Sequence, residues 1–359
     1  MLERGNPLKI LLRTVIIIAV LSAIGIYFSI TDDNNQPDVL VENGDHPKKV
    51  EDNLKEASEN TQILPTPKEG LGSLIGKSTS ELKKKYGKPA RIDPSAYEYD
   101  WWIFNKDDSK YFQAGILDDK VVTIYAIGSS VNITPYKIGQ EVGDIYTMTP
   151  IETNISFNYE NSSYRFELSE DEINNRPLIQ IGDYYAQLYF DKFNGTLSSI
   201  RYMDARTLLH LRPYELVYRG ELLETESNGK NNEAIQEGNE RQILDMTNVL
   251  RKRFKLNTVE WDQPTAEVAL GHSKDMFDTE NFSHTSEKYG DLEDRLKAGD
   301  VFYQVAGENI AAGYSDAPAV MEGWLNSKGH RECLLNEKFT HLGVGVFDKY
   351  YTQNFIEKW

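Results

Sequence analysis

The reading of this chain turns on Phe282-Ser283-His284, Gly307-Glu308-Asn309-Ile310 and Gly329-His330-Arg331, followed by the closing run Tyr351-Thr352-Gln353-Asn354-Phe355. A histidine, a carboxylate and a second histidine are widely separated in sequence, so only a tertiary fold can make them neighbours. Around them the pattern is that of helices packed on a sheet. Asn239 to Phe254 places Ile243, Leu244, Thr247, Leu250 and Phe254 at helical spacing. Thr265 to Thr279 supplies a second helix with Ala266, Ala269, Leu270, Ser273, Met276 and Phe277 turned inward. Leu342 to Phe347 and Thr352 to Phe355 read as strands, the latter with Gln and Asn amides able to bridge to the preceding strand or a cleft wall.

These motifs, with Ala269-Leu270-Gly271-His272-Ser273, Gly323-Trp324-Leu325-Asn326-Ser327 and Gly343-Val344-Gly345-Val346 in the same order, resemble the CAP superfamily in its short bacterial form. That superfamily comprises the cysteine-rich secretory, antigen 5 and pathogenesis-related-1 proteins. The match runs from about Asn232 to Trp359. The resemblance implies a three-layer α-β-α sandwich whose central cleft holds two histidines and two glutamates. His284, Glu308 and His330 fall on three of those positions, and Ser327 falls on that of the second glutamate.

A cleft with two histidines and two glutamates can hold a divalent cation or run general acid-base chemistry, and a hydroxyl in place of one carboxylate lowers its negative charge. His284, His330 and Glu308 still equal a common catalytic zinc set, so zinc or another divalent cation is one reading. On the other, these side chains hydrogen-bond one another and nearby backbone, with Arg331 pairing with Glu308 or a chain terminus. A serine hydrolase would need Ser327 as nucleophile with His330 or His284 as base. The surroundings lack a Gly-x-Ser-x-Gly elbow, and Ser327 instead ends the helix begun by Asp316, Ala317 and Pro318. His272 reads as a partly exposed hydrogen-bonding group, and Trp324 and Trp359 as core anchors.

The formal net charge of −17 argues against nucleic acid, whose phosphates need clustered Lys and Arg. Cys333 is the single cysteine, so no intramolecular disulfide forms, as suits a bacterial extracytoplasmic protein. It reads as a small buried apolar residue.

Val15 to Ile30 is free of charge, preceded by Arg4, Lys9 and Arg13 and followed by Asp32 and Asp33. At about 1.5 Å per residue the run reaches about 24 Å, and extension back to Ile10 spans a ~30 Å core if Arg13 snorkels. The basic flank predicts a single-pass plasma-membrane anchor in residues 1–31 with everything after Thr31 outside. A cleaved signal peptide is the competing reading; the small-x-small cleavage pattern is missing. Residues 32–70 are polar and acidic and predict a disordered tether.

Leu71 to about Arg212 predicts a second domain with an internal repeat. A helix through Tyr86 precedes strands near 97–104, 111–117 and 121–127, and Lys137-Ile138-Gly139-Gln140 restarts a similar order with strands near 163–168, 184–190 and 197–202. Asp118-Asp119-Lys120 and Lys192-Phe193-Asn194-Gly195 fall at corresponding hairpin turns. The region resembles the CAP-associated N-terminal domain of bacilli-like proteins. Tyr99, Trp101, Tyr111, Tyr125, Tyr184, Tyr185 and Tyr189 read as strand core or as a carbohydrate-stacking surface. Residues 213–231 predict a linker to a terminal domain at 232–359.

The whole is an α+β chain in which an accessory domain precedes the sandwich. The expected function is a membrane-anchored binding module at the cell envelope, whose partner is a cell-wall or envelope component or a protein. A metal-dependent hydrolase acting on peptide or cell-wall material, and a lipid-binding protein, are the alternatives.

Overall fold

The computed structural model describes residues 40–42, 47–50, 62–223 and 232–359. The expected anchor over Val15 to Ile30 lies outside them, and no helix among the described residues is long and apolar enough to cross a membrane.

The C-terminal part is built on a four-stranded sheet of order β12-β14-β15-β13, where β12 is Glu260–Trp261, β13 Val305–Ala312, β14 His341–Phe347 and β15 Tyr350–Glu357. Strand alternation puts Val344 and Val346 on one face and Gly343 and Gly345 on the other. The valines join a core with Ile243, Met246, Val249 and Leu250 of helix α5 (Asn232–Arg253) and Val320, Met321 and Trp324 of α8 (Ala317–Leu325). On the glycine face helix α6 (Gln263–Thr279) lies directly against the strand: a Cβ at Gly345 would stand 2.0 Å from the Leu270 nitrogen, and one at Gly343 2.2 Å from that of Ala266. The Gly-Val-Gly-Val motif is therefore one strand serving a tight backbone contact on one side and an apolar core on the other. The result is the expected α-β-α sandwich.

Two of these helices start in the same way. Asp262 caps α6 by accepting from the Thr265 N–H, Asp316 caps α8 by accepting from that of Ala319, and each is followed by proline in the first turn.

The N-terminal part contains a seven-stranded sheet of order β2-β3-β4-β5-β10-β9-β8. Its strands are β2 Arg91–Pro94, β3 Asp100–Phe104, β4 Phe112–Leu117, β5 Lys120–Ala126, β8 Leu178–Ile181, β9 Tyr184–Asp191 and β10 Thr196–Met203. The two halves of the sequence repeat meet where β5 pairs with β10. Each half docks its helix in the same manner. Gly76 N–H donates to Val121 O and Val121 N–H to Lys77 O ahead of α1 (Thr79–Tyr86); Gly139 N–H donates to Leu197 O and Leu197 N–H to Gln140 O ahead of α2 (Val142–Met148). The tyrosines and Trp101 named above are all buried, so they are core and present no stacking surface.

A second, four-stranded sheet has the order β1-β11-β7-β6 (Lys48–Lys49, Glu215–Arg219, Ser162–Glu167, Asn154–Tyr159). It revises two expectations. The start of the expected linker is strand β11, with Leu216 opposite Phe166 and buried, because its alternating apolar residues complete the face that β7 leaves open. Parts of the expected tether also carry structure. Leu40 to Glu42 adds to the end of β13 through Ala312, Lys48–Lys49 pairs with β11, and Leu64 bridges to Ile181; free sheet edges accept such segments whatever their polarity.

The two parts share one core. Tyr99, Trp101, Tyr125 and Tyr189 of the accessory sheet pack in a single cluster with Val320, Met321 and Trp324 of the sandwich.

Candidate functional site

Glu308 lies on edge strand β13, where alternation turns it, with Ala306, toward α6 and α7 (Leu292–Ala298). Its side chain is 4% exposed. Three groups converge on it. Arg295, on α7 and equally buried, donates from one Nη to Oε2 at 2.6 Å. His284, in the loop after α6, brings Nδ1 to 2.9 Å from Oε1. His272, on α6, sets Nε2 3.9 Å from the same oxygen.

Arg295 organises this arrangement. Its other Nη donates to the carbonyls of His284 (2.8 Å) and Gly290 (3.1 Å), so one guanidinium ties loop, helix and strand together. Helix α7 is itself fixed by a capping box between Asp291 and Asp294.

Burial alone would raise the Glu308 carboxyl, but the His284 hydrogen bond and the charge of Arg295 hold it below the ordinary glutamate value. An ionised carboxylate only accepts, so Nδ1 of His284 carries the proton and Nε2 is left as the outward nitrogen. The His284 side chain is 32% exposed, the one member of the group that meets solvent to this extent. Burial lowers the affinity of His272 for a proton, against the pull of Glu308, and leaves it a neutral imidazole. Neither ring nitrogen of His272 makes a hydrogen bond within the described protein, nor do Arg295 Nε and the side-chain amide of Asn354, which is paired across the sheet with Glu308.

Ser327 and His330 meet elsewhere on the same module. Ser327 precedes helix α9 (Lys328–Leu334), and its Oγ lies 2.6 Å from Nδ1 of His330. His330 is the third residue of that helix, so the two side chains meet at i to i+3 spacing, side chain to side chain. Both residues are buried. The amide of Asn309, the neighbour of Glu308 pointing to the opposite face, donates to the His330 carbonyl at 3.1 Å and to Gln353 Oε1 at 3.0 Å. Gln353 in turn donates to Thr247 of α5, so the closing amide bridges sheet and helix.

Among the described residues no group of three or more His, Cys, Asp and Glu side chains is placed to hold a metal ion. Of the residues named for a divalent cation, His284 and Glu308 are in direct contact, the other Glu308 oxygen is engaged by Arg295, and His330 turns Nδ1 to Ser327. Arg331, expected to pair with Glu308 or a chain terminus, instead makes a two-pronged pair with Asp191 of the accessory sheet at 3.0 Å. Trp359 is 89% exposed and is no core anchor, whereas Trp324 is fully buried and donates to the Ile310 carbonyl. Cys333 is half-buried rather than buried as expected, and desolvation pushes its thiol up from the ordinary value. It packs where a Cβ on Gly307 would come within 2.9 Å of its sulfur and 2.7 Å of Phe339, which accounts for glycine before Glu308.

Residues 75–214 match the CAP-associated N-terminal family, and residues 244–356 match the cysteine-rich secretory protein family. The membrane protein YlbC of Bacillus subtilis is 52% identical over 305 residues, covering 85% of this chain and 88% of the relative. The chain belongs to the cysteine-rich secretory protein (CAP) family. Two solved structures are similar along most of its length. An extracellular protein containing an SCP domain from Bacillus anthracis has 48% identity and a TM-score of 0.77, over 83% of this chain and 99% of that one. A cysteine-rich secretory protein from Staphylococcus aureus has 28% identity and a TM-score of 0.74, over 89% and 100%.

Within the CAP module, sequence reading missed Arg295 and misplaced His272. For His272 a signal existed: the helical phase that turns Ala269 and Met276 inward also turns residue 272 inward, and it is buried. For Arg295 there was none, since the partner that pairs with it lies on another element.

Proposed function

We propose that this CAP protein is a membrane-anchored, outward-facing binding module of the bacterial envelope, with the His284 loop as its contact point. The observation that carries the reading is the occupancy of Glu308. A carboxylate closed on both oxygens by Arg295 and His284 is a clamp that orients an imidazole, and the carboxylate itself is neither a free general base nor an open ligand. What faces outward is His284 Nε2 on a loop fixed from behind. Such a preorganised polar group suits recognition of a hydrogen-bonding ligand. The apolar run over Val15 to Ile30 with its basic flank supports anchoring, as does the description of YlbC as a membrane protein; the description of the Bacillus anthracis relative as extracellular supports the outward side.

The test is co-sedimentation of the full chain, in detergent, with purified cell-wall sacculi and with cross-linked envelope extract, beside a His284→Ala variant of equal thermal stability. Retention of the wild type and at least tenfold weaker retention of the variant is the expected result. Equal retention of both would remove His284 from the contact. Release of soluble wall fragments on adding zinc, lost in the variant, would replace the binding reading with the hydrolase.

A further inference from the structure

The Ser327–His330 arm of the CAP module is held from outside the module. Asn326, the residue before Ser327, is gripped at both ends of its amide by the accessory hairpin: Nδ2 donates to the Phe190 carbonyl at 2.8 Å, and Oδ1 accepts from the Lys192 N–H at 2.9 Å. Arg331, the residue after His330, forms its two-pronged pair with Asp191 and lies between the rings of Phe193 (4.9 Å) and Phe254 (5.0 Å). One helix earlier, Glu322 is buried against the accessory sheet and accepts from Tyr125 (2.7 Å) and Ser199 (2.6 Å). Residues 322, 326 and 331 thus fasten α8, the turn and α9, and two of them bracket the Ser327–His330 pair.

We infer that the accessory domain acts as a positioning element for this arm, through the turn Phe190-Asp191-Lys192-Phe193. Within its own module the arm is tied by the Asn309 amide on the His330 carbonyl (3.1 Å) and by Arg251 on the Leu334 carbonyl (3.0 Å); the accessory contacts act at its turn and on Arg331. Helix α9 has seven residues, too few to be stable by itself. An arginine paired in plane with a carboxylate and stacked on two rings is a directional contact, fixing orientation as well as distance. The hairpin that the sequence marks as the repeat's second turn is, in this protein, the part that reaches residues 326 and 331. The inference does not depend on what the cleft binds.

The experiment uses the full chain in detergent with two separate variants, Asp191→Asn and Asn326→Ala, one on each side of the interface. Backbone hydrogen exchange read by mass spectrometry is expected to quicken at least tenfold over residues 326–334 in both, with β14 and β15 unchanged. Acylation of His330 by diethyl pyrocarbonate is expected to quicken by a similar factor, with that of His341 unchanged. Wild-type exchange over 326–334 in both variants would overturn the inference, since the arm would then be held by its own module. A uniform rise across the chain would overturn it equally, because it reports general destabilisation.

Discussion

Removing one partner of the Arg295–Glu308 pair tests the clamp directly. Both side chains are 4% exposed, and their contact of 2.6 Å lies between a helix and an edge strand. Glu308→Gln preserves shape but leaves the guanidinium buried beside a neutral amide, and Arg295→Met leaves the carboxylate with His284 alone. Truncating one side of a buried pair costs about 3–5 kcal/mol, since the surviving charge stays desolvated. The double variant should cost less than the sum by about 2 kcal/mol, because neither charge remains to be stranded. The effect also has a pH signature. The Glu308 carboxyl is held below its ordinary value, so its contribution is present above about pH 4.5 and is lost as pH falls through the folded-state value. The gap between wild type and Glu308→Gln should therefore be widest near neutrality and should narrow as pH falls below about 4.5. Urea unfolding of the full chain in detergent, followed by tryptophan fluorescence, reads these differences. Single-variant costs under about 1 kcal/mol that add independently in the double would refute the clamp.

Two further outcomes follow from packing and burial. Gly345→Ala should destabilise by about 3 kcal/mol or more, because the added methyl meets the α6 backbone and no side chain can yield; Gly271→Ala on the exposed face of the same helix should be neutral or stabilising by up to about 1 kcal/mol, and thermal unfolding of the pair checks both. Glu240 accepts the Val346 N–H, and burial pushes its carboxyl up to about 7, so its ionisation weakens the fold as pH rises from about 4.5 through 7; Glu240→Gln should gain about 1–3 kcal/mol at pH 8 and nothing at pH 5, and equal gains at both would contradict the shift.

The sandwich was legible because its motifs encode close approaches. Gly343 and Gly345 mark where a helix backbone meets a strand, and the paired Asp-x-Pro sequences mark helix starts. The inward face of α6 was less legible. Apolarity suggested Leu270 and Phe277, yet both are exposed while Thr265 and His272 are buried; Ser273 is buried as expected. A helix pressed onto glycines favours small residues at the contact, so hydropathy misassigns its phase where side-chain size would not. His284 and Glu308 were legible from the resemblance. Their partner Arg295 was not, since an ion pair between elements leaves no periodic trace. The interface between the two domains was invisible for a related reason: Trp101 and Tyr125 alternate in their strands as core residues do, whether the core they enter is their own or a neighbour's.

That interface bears on the binding role we propose. Besides the shared apolar cluster it contains Arg201–Asp316, both almost fully buried, and Arg331–Asp191, and Arg91 reaches Asp245 of α5 at the rim. Buried pairs of this sort add little net stability, because desolvation offsets most of the attraction. Their asymmetry is what matters: docked in register they are satisfied, and displaced they strand charges at several kcal/mol each. Such contacts select one orientation. The leader segment reinforces it, since Val41 bridges to Ala312 of the CAP sheet while Glu42 pairs with Arg176 of the accessory part. On the proposed binding role, a partner would meet the accessory surface and the CAP surface in a fixed relation, as one composite face. Affinity measured on an isolated CAP module would then underestimate binding even where every cleft residue is present, because the Ser327–His330 arm takes its position from the domain that had been removed.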